Sequence, residues 1–224
     1  MQPYTLKREK RRSILIQVTE AGVEVRAPLR STLAQIEALL TQKQAWILRR
    51  RAQLAAVFSE IPLVTYDPGG LVPVMGRSLA LRLDKAGRVA VRIEGEEMVV
   101  VGPKLGPDRV RAHLKAWYIV QAEAIFEDRV ALYLPQIGRP YRDIQIKTLK
   151  RRWGSCTLKG ELTFNWTLMM APLWVLDYVV IHELCHLKVM NHSVSFWREV
   201  GKISPEYKKA VQWLKHYGPA LKLP

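Results

Sequence analysis

The stretch "VVIHELCHLKVMNHSVSFW", residues 179–197, sets His182, Glu183, His186 and His192 within eleven residues. No other segment restricts the fold as much. Side chains four apart share one helical face, about 6 Å apart along the axis, so His182 and His186 ask for one unbroken helix. Were that helix to run on, His192 would lie about 9 Å beyond His186 and about 600° further round. It could not face the same point. The three imidazoles converge only if the helix stops between His186 and His192 and the chain turns back. Asn191 is the expected place of reversal, because asparagine tolerates the left-handed conformation at a helix end.

The residue types define a chemistry. In H-E-x-x-H, two imidazole nitrogens four residues apart can close on one ion at about 2.0–2.1 Å. Three nitrogens leave the fourth position of a tetrahedral zinc open, as in catalytic sites. Glu183 projects to the side of such an ion, where it is free to take a proton from a metal-activated water. His182, His186 and His192 are therefore candidate ligands of Zn2+, with Glu183 the candidate general base. The flanking Val179, Val180, Ile181, Leu184 and Leu187 read as core, where an unpaired carboxylate is costly without a function. The spacing equals that of metzincins, but Val189 replaces their glycine and no methionine follows His192.

Composition narrows the setting. The 224 residues, 49% hydrophobic, can bury a substantial core. Cys156 and Cys185 are the only cysteines, too few for a disulfide framework, and both read as reduced thiols. No apolar run reaches the roughly 18 residues of a membrane helix, and the start lacks the long apolar stretch of a signal peptide. A soluble, cytoplasmic protein is expected. The net charge is +15 with a pI of about 10.0, which favours a polyanion or an acidic protein as partner. The excess gathers in "LKREKRR", in Arg49, Arg50 and Arg51, and in "KTLKRRWGSC". Arg49, Arg50, Arg51, Lys150 and Arg151 are the candidate nucleic-acid contacts.

Along the chain, "SILIQVTEAGVEVRAP" alternates as a hairpin. Residues 31–58 follow as one long amphipathic helix with Ser31 or Thr32 as N-cap. Pro62, Pro68, Gly69, Gly70 and Pro73 mark a loop, and "SLALRL", "RVAVRI" and "MVVV" read as strands. A second long helix, "RVRAHLKAWYIVQAEAIFEDRVALYL", is expected to close at Pro135. "DIQIKTLKRRWGSC" and "KGELTFNWTL" read as paired strands turning at "TLKG". A third helix, "APLWVLDYVVIHELCHLKVM", starts with Pro172 in its first turn. Two short helices end the chain, with Gly218 as a C-cap candidate.

These residues carry a resemblance. "RRWGSCTLKGELTFNWTLMMAPLWVLDYVVIHELCHLKVMNHSVSFW" resembles the YgjP-like metallopeptidase family, and "LKREKRRSILIQV", "QKQAWI" and "VMGRSLALRL" are similar to that family's N-terminal half. SprT-like and Spartan-type proteases, which act on DNA-bound proteins, are more distant relatives. The resemblance implies a zinc-dependent peptidase with His182, His186 and His192 as ligands and Glu183 as base. The fold class expected is α+β: a small zincin-type core whose H-E-x-x-H helix packs on a short sheet, preceded by a β-rich domain with a long helix. The expected domains are residues 1–105, accessory, and 106–224, metallopeptidase.

The partner expected is a peptide or protein substrate. Tyr178, Arg152 and Trp153 are candidate oxyanion or substrate contacts, with Tyr207 and His216 as further donors. "KTLKRRWGSC" could offer an edge strand to an extended peptide, and Asn165 could brace the site. Two other readings stand beside the peptidase: a nucleic-acid-associated protease acting on DNA-bound proteins, and a non-catalytic zinc-binding module closed by a fourth ligand such as Cys156.

Overall fold

A computed structural model describes residues 3–19, 21–60 and 64–223. Its contacts divide the chain into two compact units, Met1–Pro62 and Leu63–Pro224. Pro62 lies outside the described residues. Among the described residues the chain is α+β, with six α-helices and three small sheets, and no helix is long and apolar enough to cross a membrane.

In the first unit the expected hairpin forms from β2 (Leu15–Thr19) and β3 (Gly22–Pro28), paired antiparallel. A strand the alternation did not announce, β1 (Tyr4–Glu9), joins β3 in parallel. The inward residues Val23, Val25 and Ala27 share a core with Ile36, Leu40 and Ile47. The single long helix expected here is two: α1 (Leu33–Gln42) and α2 (Gln44–Glu60), divided at Lys43. Thr32 is the N-cap of α1. Its hydroxyl accepts from the Gln35 N–H and the Gln35 side chain accepts from the Thr32 N–H, a closed capping box.

The second unit opens with a sheet ordered β4-β5-β7-β6: Leu71–Val74, Arg77–Asp84, Glu97–Val101 and Ala90–Glu94. The boundary expected near residue 105 does not coincide with the contact division. The physical reason is a shared core: Val72, Leu79, Leu81, Met98 and Val100 pack in one cluster with Val110, Leu114 and Tyr118 of α3 (Pro107–Ile137). Helix α3 runs past Pro135, whose ring sits inside its last turn, and ends at Gly138 in the left-handed conformation. There the Gly138 N–H bonds the Leu134 carbonyl at 3.1 Å.

The next sheet, ordered β8-β10-β9, comprises Asp143–Lys147, Glu161–Asn165 and Gly154–Cys156. The expected continuous strand is interrupted at residues 148–153, so β8 pairs with β10 in parallel and β9 pairs with it antiparallel across the "TLKG" turn. A 3-10 helix, Trp166–Met170, leads into α4 (Leu173–Cys185), with Pro172 at the cap position just outside the helix. Helices α5 (Val194–Ile203) and α6 (Tyr207–Tyr217) follow.

Two devices fix α4. The β4–β5 turn uses Met75 and Gly76, both at positive φ, the signature of a tight hairpin turn. The Met75 N–H donates to the Met169 carbonyl at 2.7 Å, and a Cβ on Gly76 would lie 3.1 Å from Pro172. Further along the helix, Arg129 of α3 grips Asp177 with two bonds of 2.6 and 2.8 Å, the bidentate geometry arginine alone provides.

Candidate metal centre

Helix α4 is buried over most of its surface; Val175, Leu176, Val179, Val180, Ile181 and Leu184 all lie in the core. This makes it a rigid carrier for its polar residues. Its end is built by hydrogen bonds of shortened span. The N–H groups of His186, Leu187 and Lys188 reach the carbonyls of Glu183, Leu184 and Cys185 at 3.0–3.2 Å, tightening the last turn. The chain then reverses through residues 187–193 into α5. The reversal stands where it was expected, but its device differs. Asn191 is not among the positive-φ residues; its side-chain oxygen accepts from the Ser193 N–H at 3.2 Å, a side-chain-closed turn.

The reversal brings the three imidazoles together. One ligand atom from each of His182, His186 and His192 lies within 4.8 Å of the others, and the Nε2 atoms of His182 and His192 are 3.0 Å apart. The outer nitrogens of His182 and His186 are engaged elsewhere. His186 Nδ1 lies 3.0 Å from the Val189 carbonyl, an acceptor only, so Nδ1 carries the proton and Nε2 is left as a ligand. His182 Nδ1 lies 3.3 Å from the Tyr178 hydroxyl; in the tautomer that frees Nε2, Nδ1–H donates to it. Such outer partners orient metal-ligating histidines.

Phe196 of α5 is the floor of the cluster. It is 0% exposed, and its ring centre lies 4.4–4.9 Å from all three imidazoles. Trp197 stacks on His192 at 5.8 Å and on Tyr207 at 5.2 Å. Burial, then the neighbouring His186 and His192, hold His182 down at about 3. Burial also lowers His186. Both are therefore neutral at pH 7, the state in which imidazole binds a cation. The donor set fits a first-row metal ion: three imidazole nitrogens and, among the described residues, no fourth His, Cys, Asp or Glu in the group.

Glu183 is 5% exposed. Burial pushes its carboxyl up to about 8, against the pull of the Arg152 charge; a bound cation would pull it down as well. Its carboxylate lies on Gly154 of β9. A Cβ there would come within 2.7 Å of Glu183 Cγ and Oε1. Gly154 had no assigned role in the sequence reading. Its signal was present: a glycine inside a short strand marks close approach of another group.

The other expected residues fall as follows. Tyr178 orients His182; burial, then Glu183 and Tyr207, push its hydroxyl up to about 12. Arg152 is exposed and close enough to act on Glu183 electrostatically. Trp153 is half-buried, and its carbonyl accepts from the Asn165 N–H at 2.8 Å. Asn165 does brace the neighbouring loop, donating its side-chain amide to the Leu149 carbonyl at 2.9 Å. Lys150 and Arg151 are exposed on that loop. Arg49, Arg50 and Arg51 belong to α2 of the first unit. His216 contacts Tyr217 edge-on and is outside the imidazole group. Cys156 is also outside it; its thiol faces the Thr157 carbonyl, and burial and Glu183 push it up to about 11. Cys185 is core.

A converging set of three imidazoles beside a buried carboxylate is the constellation of a metallopeptidase. Comparison with known families leads to the same class: a model described as YgjP-like, metallopeptidase domain, matches residues 12–217. The chain belongs to the YgjP-like family. No curated protein matches it. Among solved structures it is similar to the metallopeptidase zymogen abylysin of Pyrococcus abyssi, at 29% identity, covering 40% of this chain and 92% of that one with a TM-score of 0.37. It is also similar to the metallopeptidase zymogen jannalysin of Methanocaldococcus jannaschii, at 26% identity, covering 40% and 96% with a TM-score of 0.35.

Proposed function

We propose that the chain is a zinc-dependent peptidase in which His182, His186 and His192 hold Zn2+ and Glu183 is the general base. One observation carries the reading: three imidazole donors converge beside a carboxylate that the core would otherwise exclude. When bound, the ion supplies Lewis-acid polarisation of the scissile carbonyl and a lowered pKa for the attacking water. The rest falls to the chain. Glu183, held over Gly154, takes the proton from water and passes it to the leaving amine. Tyr178 keeps His182 in its ligating tautomer. Among the described residues strand β9 has a strand partner on one side only, and it lies against the α4 end that carries Glu183, so an extended peptide can add to its other edge. Arg152, whose charge acts on Glu183, is the cation assigned to a developing oxyanion.

The test is Glu183→Gln with metal analysis. Zinc should be retained at one equivalent while peptide hydrolysis falls by about 10²–10⁴-fold. A purified chain that neither contains zinc nor takes it up sinks the reading.

One observation favours a second reading. Lys150, Arg151 and Arg152 form a run of exposed cations leading directly to Gly154 and Glu183. In this reading the peptidase works on proteins bound to nucleic acid, with Arg49, Arg50 and Arg51 as additional contacts. Binding of single-stranded DNA should then weaken steeply with salt. Equal affinity at low and high salt, or no binding, removes it.

A further inference from the structure

A groove of about 260 Å³ opens beside His182, lined by Trp153, Tyr178, Val179, Val211, Leu214 and Lys215. Its residues come from two helices and one loop. Tyr178 and His182 lie four apart on α4 and so share a face; Val211, Leu214 and Lys215 are spaced the same way on α6. Trp153 closes one end. Its indole lies on Gly218 so tightly that a Cβ there would be 2.7 Å from the ring, which keeps this wall in place. Leu214 is buried, while Val211 and Lys215 are exposed at the edge. Among the described residues Lys215 has no carboxylate within ion-pair distance. The lining is therefore mostly apolar with one uncommitted ammonium.

The size selects an occupant. An apolar cavity of about 150 Å³ is enough to admit benzene, so the groove has room for one large aliphatic or aromatic side chain. Because His182 is part of its wall, that side chain belongs to a residue close to the metal centre. We propose that this groove is the specificity subsite: it takes a large apolar substrate residue flanking the scissile bond, and Lys215 pairs with a carboxylate next to that residue. The proposal rests on the peptidase reading for the position of the scissile bond. The preferred substrate is thus a peptide with Leu, Phe or a similar residue beside Asp, Glu or a free C-terminus.

The experiment uses the full chain loaded with zinc and end-blocked hexapeptides whose central residue is Ala, Leu or Phe, with Asp or Lys beside it. Cleavage is measured with the wild-type chain, and binding with the Glu183→Gln chain by calorimetry. Leu and Phe peptides should exceed the Ala peptide by roughly 10- to 200-fold, the range set by a few methylenes in an apolar pocket. Val211→Trp fills the groove from its exposed edge, so the fold is undisturbed. It should abolish this preference while zinc content and the denaturant midpoint of the metal-free chain stay as in wild type. Lys215→Glu should reverse the order of the Asp and Lys peptides. A ranking unchanged by Val211→Trp overturns the subsite, and an order unchanged by Lys215→Glu overturns the carboxylate pairing. Side-chain-dependent binding with no cleavage by the wild-type chain sinks the peptidase reading and leaves the groove standing. Cleavage blind to the central residue does the opposite.

Discussion

The two arms of the proposed metal centre are held by different means. His182 and His186 ride on a helix buried among Val179, Val180, Ile181 and Leu184, with the outer nitrogen of each ring engaged by Tyr178 or Val189. His192 is exposed on a turn, and ring contacts with Phe196 and Trp197 position it. The first arm takes its precision from helix periodicity and core packing. The second takes it from a reversal of a few residues and from stacking. A site built this way should fail in two separable manners: the helix arm through the core, the turn arm locally.

Phe196→Ala tests the residue whose ring meets all three imidazoles and carries the largest expected effect. Removing a fully buried phenylalanine typically costs about 3–5 kcal/mol, measurable by denaturant unfolding of the metal-free chain. Because the ring lies under all three imidazoles, zinc affinity should collapse with stability. A variant that unfolds more easily yet binds zinc as wild type would show that the floor serves the core alone.

Gly154→Ala acts on neither arm. The new methyl would meet a carboxylate, not backbone, so the fold can yield by displacing Glu183. A misplacement of about 1 Å at a reacting group can cost about 100-fold in rate. The expected result is a kcat lowered by about that factor with zinc content and stability nearly unchanged. Lost zinc instead would show that Gly154 supports the ligands.

Tyr178→Phe sharpens the helix arm alone. It removes the partner of His182 Nδ1 and keeps the ring in the core. Outer partners of ligating histidines are typically worth about 10- to 100-fold in metal affinity, so zinc titration should show a loss in that range. Unaltered affinity would make the 3.3 Å contact incidental.

The helix arm was legible in the sequence because a repeat of four in an apolar run is a local signal. The need for a break before His192 was legible too, since helical geometry alone forbids the alternative. What escaped depends on contacts distant in sequence. Gly154 yields to a side chain 29 positions away. The Arg129–Asp177 clamp joins two helices whose patterns say nothing of each other. The boundary near 105 was drawn where the strand pattern changes to helix, yet that sheet buries its inner face on the helix that follows. Pro135 was read as a stop, although the tight turn at Gly138 is what ends the helix.

The smallest expected effect decides how the turn arm works. Left-handed geometry and a side-chain bond make different demands at position 191. The structure has Asn191 outside the left-handed region with its oxygen on the Ser193 N–H, and Ser193 makes no capping bond of its own to α5. The bond is worth about 1 kcal/mol, roughly fivefold in zinc affinity through His192. Asn191→Asp keeps the acceptor and should bind zinc at least as well as wild type. Asn191→Ala and Asn191→Gly should weaken binding alike, because both lack the oxygen. Were backbone freedom the requirement, glycine would behave as wild type and only alanine would fail, so zinc titration of the pair separates the two mechanisms.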